Sequence, residues 1–232
     1  MRQAAALALA LLLAVAGCGS AGEPRRESRT EAKKPERPVV VSLGPSYRDV
    51  GEGEPLRLRG DVEPAGTPVA LYADPYPFGE WRRVRRLRTD RRGRFHAKVR
   101  PVRETRYVAR TEDGRAKSST AQISVLLFPR VEATMVSPTM GRVRVTWKAK
   151  VPLRPVRGAR ACAYRRTNGR WIRRGCGAVE RAGGGRLVAS IPFRLAGTRV
   201  GDRFTACSRV DVARGFSAPY VQGCAGRTLE IL

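Results

Sequence analysis

The sequence predicts an all-β fold of two tandem antiparallel β-sandwiches, and three observations carry that prediction. From Val39 onward, short runs rich in Val, Ile, Leu, Tyr, Phe and Thr are separated by turn residues roughly every eight to twelve positions. Within the runs apolar and charged residues alternate, the period of a strand with one face in a core and one in water. No window sustains the i, i+3, i+4, i+7 spacing of an amphipathic helix.

The elements follow in chain order. Arg2 is followed by an unbroken apolar run over 4–16 and then Gly17-Cys18-Gly19-Ser20, the layout of a secretory signal. A helix of that length rises only about 20 Å, short of a hydrocarbon core of about 30 Å, so residues 1–17 read as a signal peptide and not as a permanent span. Val15-Ala16-Gly17-Cys18 resembles a bacterial lipobox, with Val15 in place of the usual Leu. The resemblance implies cleavage before Cys18, lipidation of Cys18, and an extracytoplasmic protein held to a membrane by acyl chains, each buried methylene contributing about 0.8 kcal/mol.

Residues 18–38 mix charges of both signs with three prolines and no large apolar side chain, so they cannot form a core. They read as a disordered tether. Runs at 39–43, 55–60, 67–72, 81–88, 93–100, 105–110 and 119–127 then predict a first sandwich over 39–128. Leu56 and Leu58 alternate with Arg57 and Arg59, and Phe95, Ala97 and Val99 with His96, Lys98 and Arg100. Runs at 131–136, 141–150, 159–164, 170–174, 186–193, 203–209 and 219–222 predict a second sandwich over 129–232. There Val143, Val145 and Trp147 alternate with Arg142, Arg144 and Lys148.

Val69-Ala70-Leu71-Tyr72, Trp81 to Leu87, Thr89-Asp90-Arg91-Arg92-Gly93-Arg94-Phe95 and Thr105-Arg106-Tyr107 occur in an order that resembles the Ig-like repeats of secreted actinobacterial proteins. Asp90 and Gly93 supply the tight turn, and Phe95 and Tyr107 are expected on facing core positions. The second unit resembles an Ig or fibronectin type III-like sandwich. It lacks the central Cys-Trp-Cys spacing of antibody domains.

Besides Cys18 there are four cysteines, Cys162, Cys176, Cys207 and Cys224, an even set that in an oxidising compartment normally pairs and that permits three connectivities. Their spacing contains no C-x₂₋₄-C pair and the single histidine is distant, so no metal or other cofactor is expected. Ala161-Cys162-Ala163-Tyr164, Asn168-Gly169 and Trp171 to Cys176 resemble a cysteine-bracketed hairpin of such bacterial domains. With Cys162 and Cys176 symmetric about Gly169, a three-residue turn would set them opposite each other. The favoured pairing is Cys162–Cys176 with Cys207–Cys224, the latter clamping a last hairpin between 204–207 and 219–224.

Net charge is +26, of which +7 belongs to residues 39–128 and +16 to residues 129–232. Arginine outnumbers lysine 40 to 6, a bias that in part reflects GC-rich codon usage. The field nonetheless attracts anionic polymers or lipid headgroups over about a Debye length. The densest basic segments place Arg82, Arg83, Arg85 and Arg86 beside Trp81, and Arg165, Arg166, Arg173 and Arg174 around Trp171. These eight are the candidate contacts for an anionic ligand. The competing role is a solvated strand face that discourages edge-to-edge pairing.

No catalytic residue is assigned. His96 has no nucleophile motif beside it and sits on a predicted solvated face. Glu112-Asp113, Asp202 and Asp211 read as turn or cap residues, and Gly183-Gly184-Gly185 as a turn without the Lys-Ser/Thr of a phosphate loop. The expected function is a non-enzymatic, membrane-anchored surface lipoprotein. It would act as a spacer or as a binding module toward an anionic cell-wall polymer or envelope protein, with no specific nucleic-acid partner. The alternative is a cell-wall or polysaccharide-processing enzyme or its accessory domain.

Overall fold

The computed structural model describes residues 39–195, 197, 202–208, 211–218 and 229–230. The expected signal peptide, Cys18 with its expected lipid, the expected tether, the run at 219–222 and Cys224, the expected partner of Cys207, lie outside the described residues. Those described belong to one compact unit spanning Arg37–Leu232.

Among the described residues the chain is all-β, built of antiparallel sheets with one short parallel strand pair and one isolated parallel bridge. Its first nine strands are β1 (Val40–Val41), β2 (Gly44–Pro45), β3 (Asp49–Gly51), β4 (Leu56–Glu63), β5 (Val69–Pro75), β6 (Arg82–Leu87), β7 (Arg94–Val99), β8 (Thr105–Thr111) and β9 (Ala121–Leu126). β4 pairs with β1, β2 and β7, while the facing sheet has the order β3-β9-β8-β5-β6. The opening segment switches sheets between β2 and β3, and β3 then runs parallel to β9, covering an edge that would otherwise be open.

The second half contains β10 (Arg130–Ser137), β11 (Met140–Trp147), β12 (Arg160–Thr167), β13 (Arg170–Ala178), β14 (Glu180–Ala182), β15 (Arg186–Arg194), β16 (Arg203–Cys207) and β17 (Leu229–Glu230). Its sheets run β10-β11-β15-β14 and β13-β12-β16-β17. The strand found beside β16 is β17, with Phe204 opposite Leu229. A short 3-10 turn at Gly183–Gly185 joins β14 to β15.

Alternation decides what is buried. On β4, Leu56, Leu58, Gly60 and Val62 point inward and Arg57, Arg59, Asp61 and Glu63 outward. β7 buries Phe95, Ala97 and Val99 and leaves His96 and Lys98 in water. Phe95 and Tyr107 are both buried, on different sheets, as the pattern requires. In the second half Val143, Val145 and Trp147 of β11 pack with Leu187, Ala189 and Ile191 of β15. The first-half turn forms as expected: Asp90 accepts from the backbone N–H groups of Arg92 and Arg94 at 2.8 and 2.9 Å.

One device recurs in both halves. Gly60 lies opposite Phe95 and Gly141 opposite Phe193, and a Cβ at either glycine would come within 2.5 Å of the partner ring. Each phenyl therefore fills the space above its glycine and adds apolar burial where the strand has no side chain.

The halves are stitched by backbone. Ser217 donates to the Val125 carbonyl at 2.9 Å, and its own carbonyl accepts from Leu127 at 3.2 Å, forming a parallel bridge to Leu126. Glu104 takes part twice, donating its N–H to Gly215 O and accepting from the Ser217 hydroxyl at 2.9 Å.

Candidate functional site

Both arginine-rich segments are edge strands. β6 closes one end of the five-stranded sheet and β13 one end of the sheet containing β12. Each carries one extra residue. On β6, Leu71 faces Arg85 and Tyr72 faces Arg83, leaving Val84 unpaired in the ladder. On β13, Ala163 faces Gly175 and Tyr164 faces Arg173, leaving Arg174 as the bulge. A bulged, charged edge does not template another strand, so these arginines protect the sheets whatever else they do.

Arg82, Arg83, Arg85 and Arg86 are all exposed, as are Arg166, Arg173 and Arg174. Arg82 pairs with Glu80 and Arg86 with Glu112, both at the surface. Among the described residues Arg83, Arg85, Arg173 and Arg174 have no carboxylate within ion-pair distance.

Arg165 stands apart from the other seven. Its position on β12 follows Ala161 and Ala163 on the inner face, and it is 7% exposed. Its guanidinium donates to the Gly197 carbonyl at 2.5 Å and lies 2.8 Å from the Asp202 carboxylate. It is a buried ion-pair residue and not a surface contact. Asp202 is correspondingly its counter-ion, beyond the turn or cap role expected of it. Asp211 accepts from the Ala218 N–H, seven residues on, at 2.8 Å and so closes a loop, not the local turn or cap expected of it.

The structure adds residues that the charge runs did not mark. On the outer face of the five-stranded sheet, Ala70, Tyr72 and Asp74 of β5 stand beside Arg110, Val108 and Arg106 of β8 and beside Arg86 and Arg83 of β6. The loop after β5 folds back across this face, because the buried Asp74 carboxylate accepts from the Gly79 and Glu80 N–H groups at 2.8 and 3.0 Å. It thereby brings Phe78 and Trp81 to the arginines. The Arg106 guanidinium sits 4.0 Å from the Phe78 ring centroid, and that of Arg110 sits 4.9 Å from Tyr72 and 5.8 Å from Trp81. This layer explains why Ala70 and Val108, on an outer face, are buried.

Stacking fixes each guanidinium plane while its in-plane N–H groups stay available to a carboxylate or phosphate. Arg110 Nε itself is buried and, among the described residues, has no hydrogen-bond partner, so only the outer N–H groups of that guanidinium face water. The signal that could have found these residues is the alternation Arg106, Val108, Arg110 against Ala70, Tyr72, Asp74, which puts them on one face once β5 and β8 are paired.

The Cys162–Cys176 disulfide is present, with Cα atoms 4.0 Å apart across β12 and β13. The expected three-residue turn is replaced by a two-residue turn at Asn168-Gly169, both at positive φ, since Thr167 faces Arg170. The bulge at Arg174 supplies the remaining residue and restores the register of the cysteines. Beside this hairpin an open depression of about 290 Å³ is lined by Arg166, Gly169, Asp202 and Arg203. His96 is exposed on β7, opposite Arg59. Among the described residues no three His, Cys, Asp or Glu side chains are grouped to hold a metal ion.

No protein-family model matches the chain, and no curated protein matches it in sequence.

Proposed function

We propose that the chain is an extracytoplasmic lipoprotein, anchored through Cys18, whose Ig-like β-sandwich body binds an anionic polymer of the cell envelope without catalysing a reaction. The observation that carries the binding role is the set of exposed arginines on β6 and β13 that lack carboxylate partners, together with the stacked Arg106 and Arg110. Edge protection alone accounts for charge on β6 and β13. It does not account for guanidiniums held over aromatic rings on the interior strand β8.

The anchoring role is supported by the apolar run over 4–16 ending at Gly17-Cys18, and by residues 18–38, whose composition suits a spacer between membrane and body. Twenty such residues have an r.m.s. reach of roughly 25 Å, enough to hold the body clear of the headgroups. The disulfide between Cys162 and Cys176 agrees with an oxidising compartment.

The test is retention on an immobilised anionic polymer across a salt series. Binding through several guanidinium contacts is lost steeply as salt rises. Absence of retention at low salt leaves the body with a spacer role only.

A further inference from the structure

Four positions of the first outer face have counterparts in the second half. On β5 and β6, Tyr72 stands opposite Arg83 at the bulge, and Trp81 lies two positions before that arginine. On β12 and β13, Tyr164 stands opposite Arg173 at the bulge, and Trp171 lies two positions before it. The strand on the other side of each tyrosine matches as well. Tyr72 pairs with Val108 of β8, two residues after Arg106, while Tyr164 pairs with Thr205 of β16, two residues after Arg203. Strand parity puts each set of four on one outer face.

Resting on the reading that this body binds an envelope polyanion, we infer that the halves carry two equivalent binding faces and that their ligand is one acidic polysaccharide chain engaged by both. The charge of each face selects an anion, because among the described residues Arg83 and Arg173 have no carboxylate within ion-pair distance, and Arg106 and Arg203 stand on the far side of the tyrosine-bearing strand from them. The half-exposed tryptophan beside each arginine pair adds an apolar plane against which a sugar ring lies. A bare phosphate chain would not use that plane. Asp74 is saturated by backbone N–H groups and Glu112 is held by Arg86, so the nearby carboxylates do not cancel the first face.

Two faces on one compact unit make binding of a repeating ligand multivalent, so affinity depends on polymer length far more than on the charge of each sugar. The experiment titrates the full lipidated chain in detergent with long polygalacturonate, trigalacturonate and double-stranded DNA at one fixed salt concentration. Variants are R83A/R106A, R173A/R203A, their combination, and R57A/R59A, which removes the same charge from the exposed face of β4. R83K/R106K and R173K/R203K, which keep the charge, are measured in parallel. Melting curves verify that each variant is folded.

The expected result is that long polygalacturonate binds at least tenfold tighter than trigalacturonate. Each face variant then loses tenfold or more against the polymer, the combination loses the length dependence, and R57A/R59A changes binding less than threefold. The lysine variants lose affinity too, because a lysine has no planar fork. Equal losses from R57A/R59A, loss from only one face, or DNA bound as tightly as polygalacturonate overturns the inference while leaving polyanion binding in place. Failure of the unmodified chain to bind any of the three at low salt overturns the proposed function itself.

Discussion

Arg165 and Asp202 form an ion pair at 2.8 Å with side chains only 9% and 18% exposed, at the point where the inner face of β12 reaches the end of its sandwich. Placing a guanidinium among core positions is tolerable only because a carboxylate and the Gly197 carbonyl meet it. Removing the arginine takes the guanidinium counter-ion from a largely buried carboxylate. Arg165→Ala should therefore lower unfolding free energy by about 3 kcal/mol in urea titration, whereas its exposed neighbour Arg166→Ala should stay within about 0.5 kcal/mol.

The disulfide joins residues 14 apart, and closing such a loop contributes about 3 kcal/mol by restricting the unfolded chain. Cys162→Ser or reduction with dithiothreitol should lower Tm by roughly 6–12 °C at neutral pH. An unchanged Tm would mean that this hairpin is not limiting for stability.

At the tip of the same hairpin, Gly169 has φ +77 and open space around the position a Cβ would take. The cost of Gly169→Ala is then backbone conformation alone, about 1–2 kcal/mol. Equilibrium unfolding should return that loss without a change in denaturant slope.

Two surface carboxylates set an acid response. The Thr111 hydroxyl, then the N–H and guanidinium of Arg115, hold Asp113 down at about 2, and the Arg94 and Arg92 N–H groups hold Asp90 below its ordinary range. Because the folded value is depressed, the stabilisation is present above the unfolded carboxylate range near 4 and is lost as pH falls toward 2. Asp113→Asn should flatten the Tm profile between about pH 4 and 2, lowering Tm at pH 7 and leaving it nearly unchanged near pH 2.

Most strands were legible because one face of each is apolar, as in Leu56, Leu58 and Val62 or Val143, Val145 and Trp147. β3 and β14 were not, since each is three residues long and offers no alternation to read. The bulges at Val84 and Arg174 leave no mark in composition, yet they decide which arginine faces which tyrosine. Arg165 shows the opposite failure. The alternation of Ala161 and Ala163 points it inward, but a charged residue type argues for the surface, and only the counter-ion thirty-seven positions away resolves the conflict. The stacked Arg106 and Arg110 depend on strand pairing and on the loop tied down by Asp74, which one-dimensional charge runs do not contain.

Intact-mass analysis of the chain recovered from a membrane fraction tests the proposed export and lipid anchor most directly. The account predicts the mass of residues 18–232 plus acyl chains, less the thiol hydrogens lost on pairing of the four cysteines. A soluble product without acyl chains, or one retaining residues 1–17, would contradict it.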